Sequence, residues 1–245
     1  MKPTFRMSSV ALALLAVSLF QCSGNKKSEN TSDSTASVPR DTPPDNTVYV
    51  GACIWDQVPL RETPDDKGKY KTAISIGQVV TLFTDTAGNG KFYTKVRLND
   101  GMEGFAKKDF IVPNGTPSVF SNDADTYSHP DLLNKNKDKK FSKYDIVAIA
   151  ATQGDFLEVK GKRSDGKWIE TAFVKNGNLS DDKLNIAAAK FIKQALSEPD
   201  KTKRIKALQE IIDNHDLSGS SFYNEVQGMI DELNGAVPAD SVGNN

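Results

Sequence analysis

Two cysteines and two histidines carry most of the obvious nucleophilic and metal-binding capacity of this 245-residue chain. A cysteine nucleophile needs a base within hydrogen-bond reach. His129 precedes Pro130 in a turn-like stretch and His215 closes a helical pattern, so neither stands in a recognisable relation to Cys53. Cys53 falls in or beside a β segment and reads as a small buried hydrophobe. So few Cys and His residues leave almost no material for a structural zinc site or a disulfide framework. There is no Gly-x-Ser-x-Gly elbow and no phosphate-cradling Gly-x-x-x-x-Gly-Lys-Ser/Thr loop. Gly88-Asn89-Gly90 reads as a tight turn, and Asp65-Asp66 as loop solvation, because acid–base work needs carboxylates brought together in a cleft. The sequence predicts no catalytic residue, no metal and no cofactor.

The elements around these residues carry 31 Lys and Arg against 32 Asp and Glu, for a net charge of −1. A nucleic-acid binder normally shows a basic stripe that releases counterions from phosphates, so nucleic acid is excluded as a partner. Apolar residues at 38% support a modest core, which at this length fits several small domains.

The N-terminus reads as an export segment. Lys2 and Arg6 precede an eleven-residue run from Val10 to Phe20, too short to span a bilayer. Leu19-Phe20-Gln21-Cys22 resembles the lipobox of bacterial lipoproteins, in the permissive form of spirochete lipoproteins. That resemblance implies cleavage after residue 21, acylation of Cys22, and a membrane partner reached through the N-terminal lipid. Phe20 and Gln21 depart from the small residues usual before the cysteine. Residues 22 to 47 are polar and aperiodic, with Val38 the one bulky apolar residue after the cysteine, and are expected to be disordered. A flexible coil of that length reaches roughly 25–30 Å.

From Val48 short apolar runs alternate with Gly, Asp, Asn and Pro. Residues 48–50, 74–76, 79–83, 92–98 and 104–106 read as strands, with Asn99-Asp100-Gly101 as a tight hairpin. Five strands in so short a span predict a small barrel, with Pro59 and Pro64 in a long first loop. Val58-Pro59-Leu60-Arg61-Glu62-Thr63-Pro64, Gly77-Gln78-Val79-Val80-Thr81-Leu82, Phe92 to Leu98, and Asp100-Gly101-Met102-Glu103-Gly104-Phe105-Ala106 with Asp109-Phe110-Ile111 follow in one order. Together they resemble a bacterial SH3 domain over residues 48–112, with Phe105 where Trp is usual. The barrel is assigned to residues 48–115.

A divergent second copy is expected at about residues 124–176, within a domain assigned to 120–178. Tyr93, Val96, Phe105 and Phe110 recur as Phe156, Val159, Trp168 and Phe173 at a constant lag of 63. Lys143 to Ile149 resembles the second strand at a lag of about 67. The Lys-rich residues 134–140 read as a solvated loop.

After Asn178 the apolar period becomes helical. Ser180 is placed as a cap, with Asp181 and Asp182 suited to the positive end of the dipole. Leu184, Ala188, Phe191, Ala195 and Leu196 mark a first helix ending before Pro199. Two more follow at about 201–214 and 221–234, and a loose tail runs from 235 to 245. The fold class is therefore mainly β with a C-terminal α region: tandem small SH3-like barrels, then about three helices over 180–234.

The SH3 resemblance implies a non-catalytic binding module with peptidoglycan or peptide ligands, in an envelope lipoprotein expected at the outer membrane. Aromatic residues suit sugar rings and extended peptides, and Trp55, Tyr70 and Tyr93 lie at or near the loops that usually bind. Two alternatives remain: a surface-exposed protein–protein interaction lipoprotein, acting as an adaptor or in host contact, and a cell-wall hydrolase accessory.

Overall fold

The computed structural model describes residues 48–83 and 90–235. The export segment, Cys22, the tether, the tail beyond Gly235 and most of the Gly88-Asn89-Gly90 turn lie outside the described residues. The chain forms two seven-stranded antiparallel sheets followed by three helices. The first sheet contains β1 (Val48–Cys53), β2 (Val58–Arg61), β3 (Tyr70–Ile74), β4 (Val79–Phe83), β5 (Tyr93–Arg97), β6 (Glu103–Lys107) and β7 (Ile111–Pro113). The second contains β8 (Thr116–Phe120), β9 (Ala124–Tyr127), β10 (Lys135–Phe141), β11 (Ile146–Gln153), β12 (Phe156–Lys162), β13 (Ile169–Lys175) and β14 (Leu179–Ser180).

Strand order is β3-β2-β6-β5-β4-β1-β7 in one sheet and β10-β9-β13-β12-β11-β8-β14 in the other. Adding seven to each label of the first order gives the second, so the two sheets share one topology. Backbone hydrogen bonds repeat as well. Cys53 N–H donates to Gln78 and Phe120 N–H to Asp145; Ile54 N–H donates to Phe110 and Ser121 N–H to Asn178.

Register corrects the constant lag. Val96 of β5 matches Val159 of β12 at 63 residues, and both are fully buried. The turn before the second long strand matches at 67, Ser75 with Ser142 and Gln78 with Asp145. Phe105 faces Lys95 as Phe173 faces Glu158, an offset of 68. Phe173 is thus the counterpart of Phe105, not of Phe110. Trp168 lies in a lengthened hairpin turn and is 81% exposed. Lengthening the β12–β13 turn changes the lag without changing the ladder.

Several boundaries move. The second sheet begins at Thr116 rather than 120, because β8 pairs with both β11 and β14. Pro59 lies inside β2, not in a loop; β6 meets β2 only at Arg61, so the strand at Pro59 is laddered on one side, where a missing N–H is tolerated. Short β7 follows a single 3-10 turn and carries too few residues to show a period. The Lys-rich segment is strand β10, at a sheet edge, where lysines discourage further strand pairing.

The helices are α1 (Lys183–Leu196), α2 (Lys201–Asp213) and α3 (Tyr223–Asn234). Asp182, not Ser180, caps α1 by accepting from Leu184 and Asn185 N–H; Ser180 belongs to β14. The buried face of α1 is Ile186, Ala188, Ala189, Ile192 and Ala195, while Leu184, Phe191 and Leu196 are partly exposed. The face is rotated because small alanines allow close approach to the second barrel. There α1 shares a core with Val119, Tyr144 and Ile146, and with Leu208, Ile211, Phe222, Val226 and Ile230 from α2, α3 and the turn before α3. Ile76 of the first barrel packs on the same core. A further apolar patch, Ala52, Ile54 and Val112 against Ala148, joins barrel to barrel.

Candidate functional site

The two barrels and α1 enclose a cleft of about 570 Å3. Trp55 and Asp56 come from the turn after β1, Lys162, Arg163 and Ser164 from the end of β12, and Lys193, Leu196 and Ser197 from the end of α1. Lys143 and Tyr144 enter from the turn before β11.

Trp55 follows β1 directly, and the β1 ladder with β4 and β7 fixes its direction. One indole face stacks on Phe110 at 5.4 Å and 28°. The Lys162 ammonium lies 5.2 Å from the indole centroid, a cation–π contact that needs no carboxylate partner. The other cations are held by anions. Arg163, largely buried, binds Glu170 and Asp165, and the Glu170 bond holds its guanidinium above the usual value. Lys143 binds Glu225 at 2.7 Å, and Lys193 binds Asp145.

Asp145 is fully buried and accepts from Ser142 N–H, Ser164 N–H, Ser164 Oγ and Lys193 Nζ. A buried carboxylate so surrounded has its lone pairs satisfied. Tyr144 has φ of 68°, where the first barrel has Gly77 at 78°. Bulky side chains rarely take this left-handed backbone. The conformation aims the ring at Phe222, edge-on at 5.1 Å, and its hydroxyl donates to Glu225. Burial, then that hydrogen bond, pushes the phenol well above its ordinary value.

The structure does not gather the three sequence-selected aromatics. Trp55 lines the cleft; Tyr70 and Tyr93 do not. Tyr70 projects from edge strand β3 and is 56% exposed. Tyr93 is buried, and its hydroxyl donates to Asp66 at 2.7 Å, while Lys107 also binds Asp66 at 2.8 Å. The Lys107 contact, then the Tyr93 hydroxyl, holds the Asp66 carboxyl below its usual range. Asp66 therefore fastens the long first loop, a role that adjacent acids in a sequence do not reveal.

Cys53 ends β1 in the first barrel's core, 1% exposed, and its Sγ donates to the Trp55 carbonyl. Burial pushes the thiol up to about 11, so it is protonated at neutral pH. His129 and His215 are exposed in other elements. Among the described residues no cluster of three or more His, Cys, Asp or Glu side chains could hold a metal.

The cleft-lining cations Lys162, Arg163 and Lys193 were not singled out by sequence. Lys193 lies 30 residues beyond Arg163, and no local pattern shows that α1 brings it to the end of β12.

No family model matches this chain, and no curated protein sequence does. Two solved structures from Trichomonas vaginalis are similar to it. NlpC2 is 14% identical over 61% of this chain and 57% of its own, with a TM-score of 0.25. NlpC1 is 15% identical over 61% of this chain and 54% of its own, with a TM-score of 0.24. The chain thus spans little more than half the length of either.

Proposed function

We propose that this protein is a non-catalytic binding lipoprotein of the cell envelope, anchored through Cys22, whose inter-barrel cleft recognises peptidoglycan or a peptide. Trp55 carries this reading. Its indole is stiffened by Phe110 on one side and is bordered by Lys162 on a wall that also presents Arg163, Ser164 and Ser197. An aromatic surface beside cations and hydroxyls suits a ligand that combines a ring or extended backbone with carboxylates. The absence of catalysis belongs to the same proposal, supported by a buried, protonated Cys53 with no histidine beside it.

The test is co-sedimentation of wild type and Trp55→Ala with purified sacculi, with thermal melting of both. Weaker binding by about tenfold at an unchanged melting temperature is expected. Equal binding would remove the cleft from consideration. A second reading, a protein-interaction lipoprotein, is favoured by Leu133 and Trp168, 96% and 81% exposed on loops of the second barrel. Binding to sacculi stripped of protein discriminates against it.

A further inference from the structure

The first barrel opens into another pocket, of about 390 Å3, which shares no residue with the inter-barrel cleft. Leu82, Ile111 and Tyr49 make its apolar floor. Thr94 of β5 also lines it, and although this residue is only 8% exposed, its hydroxyl has no hydrogen-bond partner among the described residues. Buried hydroxyls are nearly always partnered, so an orphan one at a pocket is a donor available to whatever enters it. Lys108, after β6, and Lys160, from β12 of the other barrel, line the same pocket. Neither has an ion-pair partner among the described residues, whereas Lys143, Lys190 and Lys193 around the cleft are all paired.

Two lysines without ion-pair partners, from separate elements, thus line one pocket with an unpartnered hydroxyl and an apolar floor. We propose that this pocket binds a monocarboxylate with a short apolar tail. The carboxylate accepts from the Thr94 hydroxyl and from Lys108 and Lys160, and the tail lies against Leu82 and Ile111. Charge-assisted bonds of this kind are the strong ones, and the volume falls within the range of small-ligand sites. A peptide C-terminus and a short acyl acid share this chemistry.

The experiment titrates the intact protein with N-acetyl-Ala-Ala, its C-terminal amide and hexanoate, reading backbone amide shifts at Thr94 and Lys160. Saturable shifts from at least one acid and none from the amide are expected; the acid that binds identifies the source. Thr94→Val and Lys160→Gln should each weaken binding about tenfold, the scale of one charge-assisted hydrogen bond. Thr94→Val should also melt no lower than wild type, because it removes an unpaired buried hydroxyl. Trp55→Ala should bind the acid unchanged. No saturable shift with either acid, equal binding of the amide, or a lowered melting temperature with undiminished binding in Thr94→Val would overturn the proposal.

Discussion

Lys190 and Lys193 lie one turn apart on α1 and reach the same turn in two different barrels. Lys190 donates to Ser75 Oγ at 2.9 Å and pairs with Asp56 at 3.1 Å; Lys193 pairs with Asp145 in the counterpart turn. The first Ser and last polar residue of each turn, Ser75 and Gln78 or Ser142 and Asp145, also make the same backbone-to-side-chain bond. The helix therefore reads the duplication directly and holds the barrels in a fixed relation.

Unequal burial makes the two lysines unequal. Lys193→Met leaves fully buried Asp145 without its cation, though three other donors remain, and should destabilise by about 1–2 kcal/mol in urea titration. Lys190→Met touches the half-exposed Asp56 and should stay below about 1 kcal/mol. The reverse ranking would contradict this account of the junction.

Gly77 has φ of 78°, and a Cβ there would approach Ile186 Cγ2 at 2.5 Å. Gly77→Ala should therefore cost about 1–3 kcal/mol, combining left-handed strain with overpacking against α1. Gly101→Ala has a similar φ of 85° but meets nothing within 4 Å, so a smaller loss is expected there. Melting the two variants side by side separates the clash from the backbone term.

Cys53 makes a pH prediction. Its folded pKa of about 11 lies above the ordinary 9.0. A raised value favours the folded state fully below the unfolded pKa, and that contribution is lost as pH rises through the folded one. Between pH of about 9 and 11, wild type should lose about 2–3 kcal/mol more than Cys53→Ala does. Parallel stability curves for the two proteins would mean that the thiol is not held neutral by burial. At neutral pH, Cys53→Ser should cost about 1–3 kcal/mol, and neither form should clear cell walls in a zymogram.

Tyr93→Phe removes the hydroxyl bond to Asp66, leaving the Lys107 contact. A loss of about 0.5–1.5 kcal/mol is expected, with sacculus binding at the cleft unchanged. Loss of binding at full stability would instead return Tyr93 to the ligand surface.

The barrels and helices were legible because their signals are local. Asn99-Asp100-Gly101 announces a hairpin, and alternation marks β5. The change of period after Asn178 announces the helices. The junction was not legible. Trp55 and Lys162 belong to different sheets and meet only at their junction, and a lag measured along the chain is distorted wherever a turn changes length, as at Trp168. The rotated face of α1 followed from tertiary packing, since Leu184 and Leu196 look more apolar than the alanines actually buried.

The shared core also dictates an order of events during synthesis. The contacts that seat the helices close across long stretches of chain: 115 residues for Lys190 to Ser75, and 81 for Tyr144 to Glu225. Such closures come late, after local hairpins have formed. A nascent chain that has emerged only as far as Ser180 holds both sheets but joins them mainly through the small patch of Ala52, Ile54, Val112 and Ala148. Val119, Ile146 and Tyr144 then still face water, and the inter-barrel cleft has no wall from α1. The cleft is thereby completed only once α1 has emerged and seated, so the Trp55 side and the Lys193 side of it come together last.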